Sequence, residues 1–537
     1  MTPRILLLTV AALSTAGFLS ACGGSSGGLS GDNPSVNDPP SGRADSYSLT
    51  TDGTDLLTVS APGVLANDGD VDSSELSVRL LDDVASGELT LNADGSFTYE
   101  PDNTGFGTSA SSYTDTFTYV VSDGESESAE TSVSLNVQAA SCAIPLQNQF
   151  VYSTMQDIYL WYEQIPDLNP SGFESPEALL EEIRFLPLDR FSYLDLAADD
   201  EAFLQAGEFV GLGFRSRTEV AEVVILDVFE GSPADAGGLV RGSRILQVDG
   251  VPIDEVLAAG SFSESLGPAE EGFEVSLTFE NPDGGVVTST LAKEVVAIPP
   301  VTATRIFDVG GAPTGYLVFR NFVDTGVPQL TEAFADFRAA GVRQVIVDLR
   351  YNTGGLVRVL EHFGDLLGGR IANNQVLLTY QFNDKNTNQN QSVFMQQRPE
   401  SLDLDRVVFV TTPSSASASE MLINGLDPFV TDLVTVGDVT FGKPVGQLGY
   451  VYCDKILRPA SFKTVNALGL GEFFDGIPVD CPAGDDPAFG FGATGEPSFD
   501  AAVYYLQNGV CPPVGAAPDG LRKPAAPRGQ YELRDVL

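Results

Sequence analysis

Between residues 301 and 506, short apolar runs of β type (Gly315 to Phe319, Val345 to Leu349, Val407 to Thr411, Val434 to Val436) alternate with helical stretches (Val327 to Ala340, Val357 to Leu367, Ser419 to Leu426). Alternating strand and helix signals of this kind predict a layered α/β domain. Residues 44–138 have another period. There, apolar and polar residues alternate in short runs such as Leu76-Ser77-Val78-Arg79-Leu80, Ser96-Phe97-Thr98-Tyr99 and Thr116-Phe117-Thr118-Tyr119-Val120, separated by Asp94-Gly95 and Asp123-Gly124 turns. That pattern predicts an antiparallel β-sandwich of about 95 residues. The chain is therefore expected to be multidomain, and 43% apolar residues supply enough material for several cores.

The N-terminus carries Arg4, an apolar run from Ile5 to Val10 and small residues ending in Leu19-Ser20-Ala21-Cys22, the layout of a secretion signal over 1–22. Its ending resembles a bacterial lipobox, which implies lipidation at Cys22 and a chain held to a membrane of the bacterial cell envelope by lipid. Residues 23–43, rich in Gly, Ser, Pro, Asn and Asp, read as a disordered tether, and the Pro/Ala/Gly-rich 513–537 as a loose tail. With 28 Lys+Arg against 74 Asp+Glu the net charge is −46, which repels nucleic acid and leaves no expectation of nucleic-acid partners. Apart from Cys22, four cysteines remain in this exported chain, Cys142, Cys453, Cys481 and Cys511, and they allow three disulfide connectivities. Because Cys453 and Cys481 flank one late segment, the favoured pairing is Cys453 with Cys481 and Cys142 with Cys511.

In the sandwich, Val64-Leu65-Ala66-Asn67-Asp68, Asp94-Gly95-Ser96-Phe97-Thr98-Tyr99 and Thr116-Phe117-Thr118-Tyr119 resemble bacterial cadherin-like, Ig-like modules. Asp68, Asp70 and Asp72 could offer oxygen ligands to Ca²⁺, but the glycine and distal glutamate of a complete calcium loop are missing, so no metal is expected. Residues 142–200 read as helical, with Phe150, Met155, Ile158, Tyr159, Trp161 and Tyr162 forming an apolar face. Over 205–295, Gly211-Leu212-Gly213-Phe214, then Gly231-Ser232-Pro233-Ala234 and Arg244-Ile245-Leu246-Gln247-Val248-Asp249-Gly250, resemble a PDZ domain. The resemblance implies a Gly211–Phe214 loop whose N–H groups receive a peptide carboxylate, beside an edge strand that a peptide extends.

The α/β domain has two unusual strand ends. Val347-Asp348-Leu349-Arg350-Tyr351-Asn352-Thr353-Gly354-Gly355 runs from a strand into a Gly-Gly turn whose N–H groups could stabilise an oxyanion. Ser414-Ser415-Ala416-Ser417-Ala418-Ser419-Glu420 opens a helix and is followed by Thr440-Phe441-Gly442-Lys443-Pro444-Val445-Gly446-Gln447. A serine hydroxyl needs a base, and a lysine serves when burial lowers its pKa. Together these phrases, with Leu188-Asp189-Arg190-Phe191-Ser192-Tyr193-Leu194 before the PDZ-like stretch, resemble the C-terminal processing peptidases.

That resemblance implies a crotonase/ClpP-like peptidase domain over 301–506. It places the nucleophile at Ser417, the general base at Lys443 and the residue orienting it at Gln447. The oxyanion hole falls on the N–H groups of Ala418 and Gly355, with Gly354 second. Pro444 stands where the family has glycine, and Val445-Gly446 inverts its order, so a stiffer loop is expected. Protein or peptide segments are the implied substrates, and no cofactor is implied. His362 is the chain's one histidine, which excludes a two-histidine zinc site and leaves a Ser/Lys mechanism as the economical choice. A silent surface scaffold and an acyl-CoA enzyme are the competing readings. The retained Ser417, Lys443 and Gln447 oppose the first, and export away from CoA opposes the second.

Overall fold

The computed structural model describes residues 37–51, 56–101, 112–139, 142–219 and 221–513. The expected signal segment, Cys22, the tether as far as residue 36 and the tail from 514 lie outside the described residues.

Residues 37–43 do not behave as tether. Ser41 bridges Gly69, the Asn37 amide donates to Asp123 and Ser126, and Asp38 N–H donates to Asp72, so this stretch is bound to the first domain. That domain stacks a four-stranded sheet, in the order Asp45–Thr51, Thr131–Ala139, Ser112–Ser122, Ser77–Leu80, on a three-stranded one of Leu57–Val59, Phe97–Pro101 and Gly87–Leu91. All pairs are antiparallel except the first two strands of the larger sheet, which run parallel. The period-2 pattern sends Phe97, Tyr99, Phe117, Tyr119, Val133 and Leu135 into one core and leaves alternate residues outside.

The segment expected to be helical throughout holds the helices Ile144–Ile158 and Pro176–Ile183, then a short strand, Tyr193–Leu196, before the helix Ala197–Ala206. A middle domain follows. Its antiparallel sheet runs Phe214–Thr218, Val223–Val228, Arg244–Val248, Glu274–Glu280, Val286–Ala292, and Glu208–Gly211 pairs with Glu294–Ala297 at its root.

The last domain is built on a six-stranded sheet in the order Val301–Val309, Ala312–Phe319, Gln344–Asp348, Arg406–Thr411, Asp432–Gly437, Cys481–Pro482. The first pair is antiparallel and the rest are parallel. Successive residues of its central strands face opposite cores. Val345 and Val347 pack with Leu330, Phe334, Phe363 and Leu422 of the helices Gly326–Ala339, Val357–Gly368 and Ala418–Leu426, while Ile346 packs with Phe499, Ala502 and Leu506 of the helix Pro497–Asn508. Burial on both faces is why these strands read as unbroken apolar runs. A second sheet, Gln391–Phe394, Val376–Phe382, Ala460–Val465, Val445–Gln447, continues the domain.

The disulfides correct the sequence expectation: Cys142 pairs with Cys453 and Cys481 with Cys511, at Cα separations of 5.9 and 5.3 Å. Cys453 sits in the turn joining Tyr450–Tyr452 to Lys455–Arg458, and the latter strand pairs with Tyr193–Leu196 of the N-terminal segment. Phe150 stacks on Tyr452 at 5.0 Å, so this hairpin lies against the first helix, where Cys142 begins. Cys481 belongs instead to the edge strand beside Asp432–Gly437, over which the final helix folds back to deliver Cys511. Proximity along the chain was the wrong guide because sheet order, not sequence order, sets Cα separations.

Candidate active site

Two loops emerge side by side from the C-terminal ends of the parallel strands Gln344–Asp348 and Arg406–Thr411. They are sewn together by hydrogen bonds. Ser415 Oγ donates to Leu349 O at 2.8 Å, Ser419 Oγ to Asn352 O at 3.1 Å and Ala416 N to Asn352 O at 3.0 Å. The Asn352 side chain, fully buried, donates to Phe319 O and accepts from Gly354 N, which shapes the Gly-Gly turn.

Ser417 sits at the junction to the helix Ala418–Leu426 with φ 54° and ψ −114°, a conformation that a β-carbon makes costly. Strain of this kind persists only where the surroundings hold it, and here the buried Ala416 and Ala418 and the two sewn loops do so. Gly354 has φ 102°, and a β-carbon there would stand 2.8 Å from Ser417 Cβ, so the turn and the serine touch. Gly354 O accepts from Phe322 N and Leu356 N donates to Phe322 O, and among the described residues the Gly355 N–H has no acceptor, whereas that of Gly354 is spent on Asn352. Of the two glycines, Gly355 is the one with a donor to offer.

Lys443 is only 6% exposed. Its Nζ donates to Gln447 Oε1 at 2.6 Å, and the Gln447 amide is fixed because its Nε2 donates to Phe191 O and Arg458 O, both at 2.7 Å. Burial pushes the Lys443 ammonium down to about 8, with the Asp189 carboxylate pulling it back up and Arg458 adding to the fall. Pro444 leaves the lysine-to-glutamine geometry intact, and its carbonyl accepts from Thr464 N on the adjoining strand.

Glu420, quoted in the serine phrase but given no task by the sequence, joins the two halves. Its fully buried carboxylate accepts from Ser417 N and Lys443 N through Oε2 at 2.9 and 2.8 Å, and from Gly442 N and Thr440 Oγ1 through Oε1 at 2.6 and 2.5 Å. Burial raises its pKa while these four donors lower it. Arg190 was also missed. Its Nη2 donates to Phe441 O, Gly442 O and Phe474 O at 3.0–3.1 Å, bracing the peptide just before Lys443. The neighbouring Asp189 is buried, accepts from Tyr159 and from the N–H groups of Phe191 and Ser192, and so shapes the loop on which Gln447 rests.

The remaining candidates lie elsewhere. Gly211, Leu212, Gly213 and Phe214 belong to the middle domain. Leu212 and Phe214 enter its core, and Gly213, at φ 85°, accepts through its carbonyl from Phe229 N and Ser232 Oγ. His362 is buried against Thr331 on the neighbouring helix, 2.9 Å away. Asp68, Asp70 and Asp72 do not converge on a point. Asp68 accepts from Arg43 N and Tyr119, Asp70 from Asp72 N and Ser73 N, and Asp72 from Asp38 N. Among the described residues no group of three His, Cys, Asp or Glu could hold a metal.

Residues 313–466 match peptidase family S41, residues 147–193 the peptidase S41 N-terminal domain, and residues 37–139 a bacterial cadherin-like domain. The chain is 27% identical over 244 residues to carboxyl-terminal-processing peptidase 3, chloroplastic, of Arabidopsis thaliana, covering 44% of this chain and 45% of that protein. It is 26% identical over 246 residues to a carboxyl-terminal-processing protease of Picosynechococcus sp., covering 45% and 56%. The chain thus spans about half the length of these relatives. Among solved structures, a protein of Bacteroides fragilis assigned to the S41 proteases is 27% identical with a TM-score of 0.56, covering 66% of this chain and 96% of that one.

Proposed function

We propose that this chain, whose peptidase domain belongs to family S41, is an exported serine endopeptidase that cleaves unfolded or C-terminal segments of proteins. The observation carrying this reading is a buried lysine, brought down to about 8 and aimed by Gln447, on a loop that Glu420 ties to the strained serine. Neutral Lys443 takes the proton as Ser417 Oγ attacks the scissile carbonyl. The N–H groups of Gly355 and Ala418 receive the oxyanion, in a site whose backbone donors need no reorganisation. Lys443 then gives its proton to the leaving amine, and the neutral Lys443 so regenerated takes a proton from the water that hydrolyses the acyl-enzyme and returns it to Ser417 Oγ.

We read the last domain as crotonase/ClpP-like and the middle domain as a PDZ domain. In the latter the strand Phe214–Thr218 stands at one end of the sheet order, the position that β-augmentation by a substrate tail requires. Cys22 is the proposed lipid site, placing the enzyme on the cell envelope. The test compares wild type with Ser417→Ala and Lys443→Ala for cleavage of an unfolded protein with an apolar C-terminus. Cleavage by wild type and by neither variant is the expected result. Equal cleavage by Lys443→Ala would overturn the assignment of the base.

A further inference from the structure

Where the middle domain meets the peptidase sheet, two arginines share one carboxylate. Arg215 lies on the strand Phe214–Thr218, and Arg320 follows the strand Ala312–Phe319; they are 0% and 8% exposed. Arg320 Nη2 donates to Asp227 Oδ1 at 2.5 Å, and Arg215 Nη1 stands 3.7 Å from Asp227 Oδ2. Arg215 Nη2 donates to Asn321 Oδ1 at 2.9 Å. Both guanidinium groups lie over Phe229, 5.3 and 5.5 Å from its ring centre. Among the described residues neither arginine has an ion pair with any other carboxylate, so two positive charges face one negative charge.

Hydrogen bonding repeats the imbalance. Arg215 Nε and Nη1, Arg320 Nε and Asn321 Nδ2 are buried with no acceptor, and Asp227 Oδ2 with no donor. A closure of about 0.5 Å would let Arg215 Nη1 and Asp227 Oδ2 satisfy each other. Three donor nitrogens and one positive charge would still remain, and native proteins rarely bury either without a partner. The adjacent part of the seam shows the contrast. There Arg350 meets Asp348, Asp485 and Glu496, and Arg241 meets Asp485, so each arginine finds a carboxylate.

We propose that the Arg215–Arg320–Asn321 cluster is a binding site for a small monovalent anion of the halide class. A water could accept from the orphaned donors but brings no charge. All four polar side chains, including Asp227 at 3% and Asn321 at 1%, are nearly inaccessible, which favours a small ion over phosphates and organic carboxylates. The ion locks the middle domain onto the segment whose next residue, Phe322, donates to Gly354 O and so borders the serine turn.

The experiment uses the full soluble chain, unfolded by heat in sodium chloride, bromide or gluconate at equal ionic strength. For a Kd of about 10 mM, chloride at about 150 mM raises the folding constant about 16-fold over gluconate, read as a Tm higher by a few degrees. Asn321→Asp supplies the missing carboxylate from within the protein. It should fold, match in gluconate the Tm that wild type reaches in chloride, and lose the halide dependence; Arg215→Met should lose the dependence too. A bromide-soaked crystal should show an anomalous peak between Arg215 and Asn321. Equal wild-type Tm values in chloride and gluconate, an undiminished chloride increment in both variants, or no bromide peak would each overturn the site.

Discussion

Replacing Glu420 by Gln tests whether one buried carboxylate aligns the two halves of the site. The side chain keeps its shape, but one oxygen becomes an amide that can only donate. Each Glu420 oxygen now serves two donors, Ser417 N with Lys443 N, and Gly442 N with Thr440 Oγ1. The amide will turn toward the second pair, because the Thr440 hydroxyl can switch to accepting while a backbone N–H cannot. One N–H, that of Gly442, is left without an acceptor, at a cost of about 1–3 kcal/mol, and two charge-assisted bonds become neutral ones, losing about 1 kcal/mol each. Relief of a carboxylate buried at a raised pKa offsets part of this, leaving a net loss of about 2–3 kcal/mol. Gly442 precedes Lys443, so a shift there moves the proposed base; an error near 1 Å costs on the order of 10²-fold in rate. Measured as kcat and KM on an unfolded substrate beside a thermal melt, the variant should lose about 100-fold in kcat with KM within about twofold. Wild-type kcat in a folded Glu420→Gln protein would refute the clamp.

With Lys443 as the proposed base its neutral amine is the active form, so kcat/KM should rise about tenfold per pH unit below a pKa of about 8 and level off above it; a flat profile from about pH 6 to 9 would exclude Lys443 as the base. Gln447→Glu puts a carboxylate against Lys443 Nζ, stabilises the ammonium and should move that rising limb to higher pH, which the same profile reads. Peptide mapping without reduction should recover Cys142 joined to Cys453 and Cys481 joined to Cys511, and Cys142→Ser with Cys453→Ser should cost about 2–4 kcal/mol in a denaturant titration. In the first domain, burial raises the Asp45 carboxyl to about 6, with the Tyr119 hydroxyl lowering it and Asp68 raising it. The folded form therefore holds its proton more tightly than the unfolded one, so this group's contribution to stability is complete below about pH 4 and lost as pH rises through about 6. Asp45→Asn should then stabilise the domain at pH 7 by about 1 kcal/mol, after allowance for solvent screening, and flatten the melt's pH dependence between about pH 4 and 6.

The proposed chemistry was legible in the sequence because it rests on short phrases. Ser417, Lys443, Gln447 and the Gly354-Gly355 turn sit at strand ends or in the loops that strands open, and Ala418 begins a helix, all places where backbone conformation is set by near neighbours. The layering was legible as well. Val345, Ile346 and Val347 form an unbroken run because both faces of their strand are covered, and Phe117 and Tyr119 alternate with polar residues because one face of theirs is. Glu420 lay inside a quoted phrase, yet nothing local says that its carboxylate turns toward residues 20 to 23 positions later.

The sequence alone thus determined the kinds of layer and the order of the cadherin-like and peptidase domains, and it named the residues proposed to carry acyl transfer. Tertiary structure decided which distant groups meet: Arg190 with the carbonyl of Phe474, Cys142 with Cys453, Arg320 with Asp227, and residues 37–43 with the loop around Gly69. Periodicity and turn chemistry act within a few residues and leave a trace in composition. Sheet order and domain docking are settled by burial summed over the whole chain, and no short window of sequence records that sum.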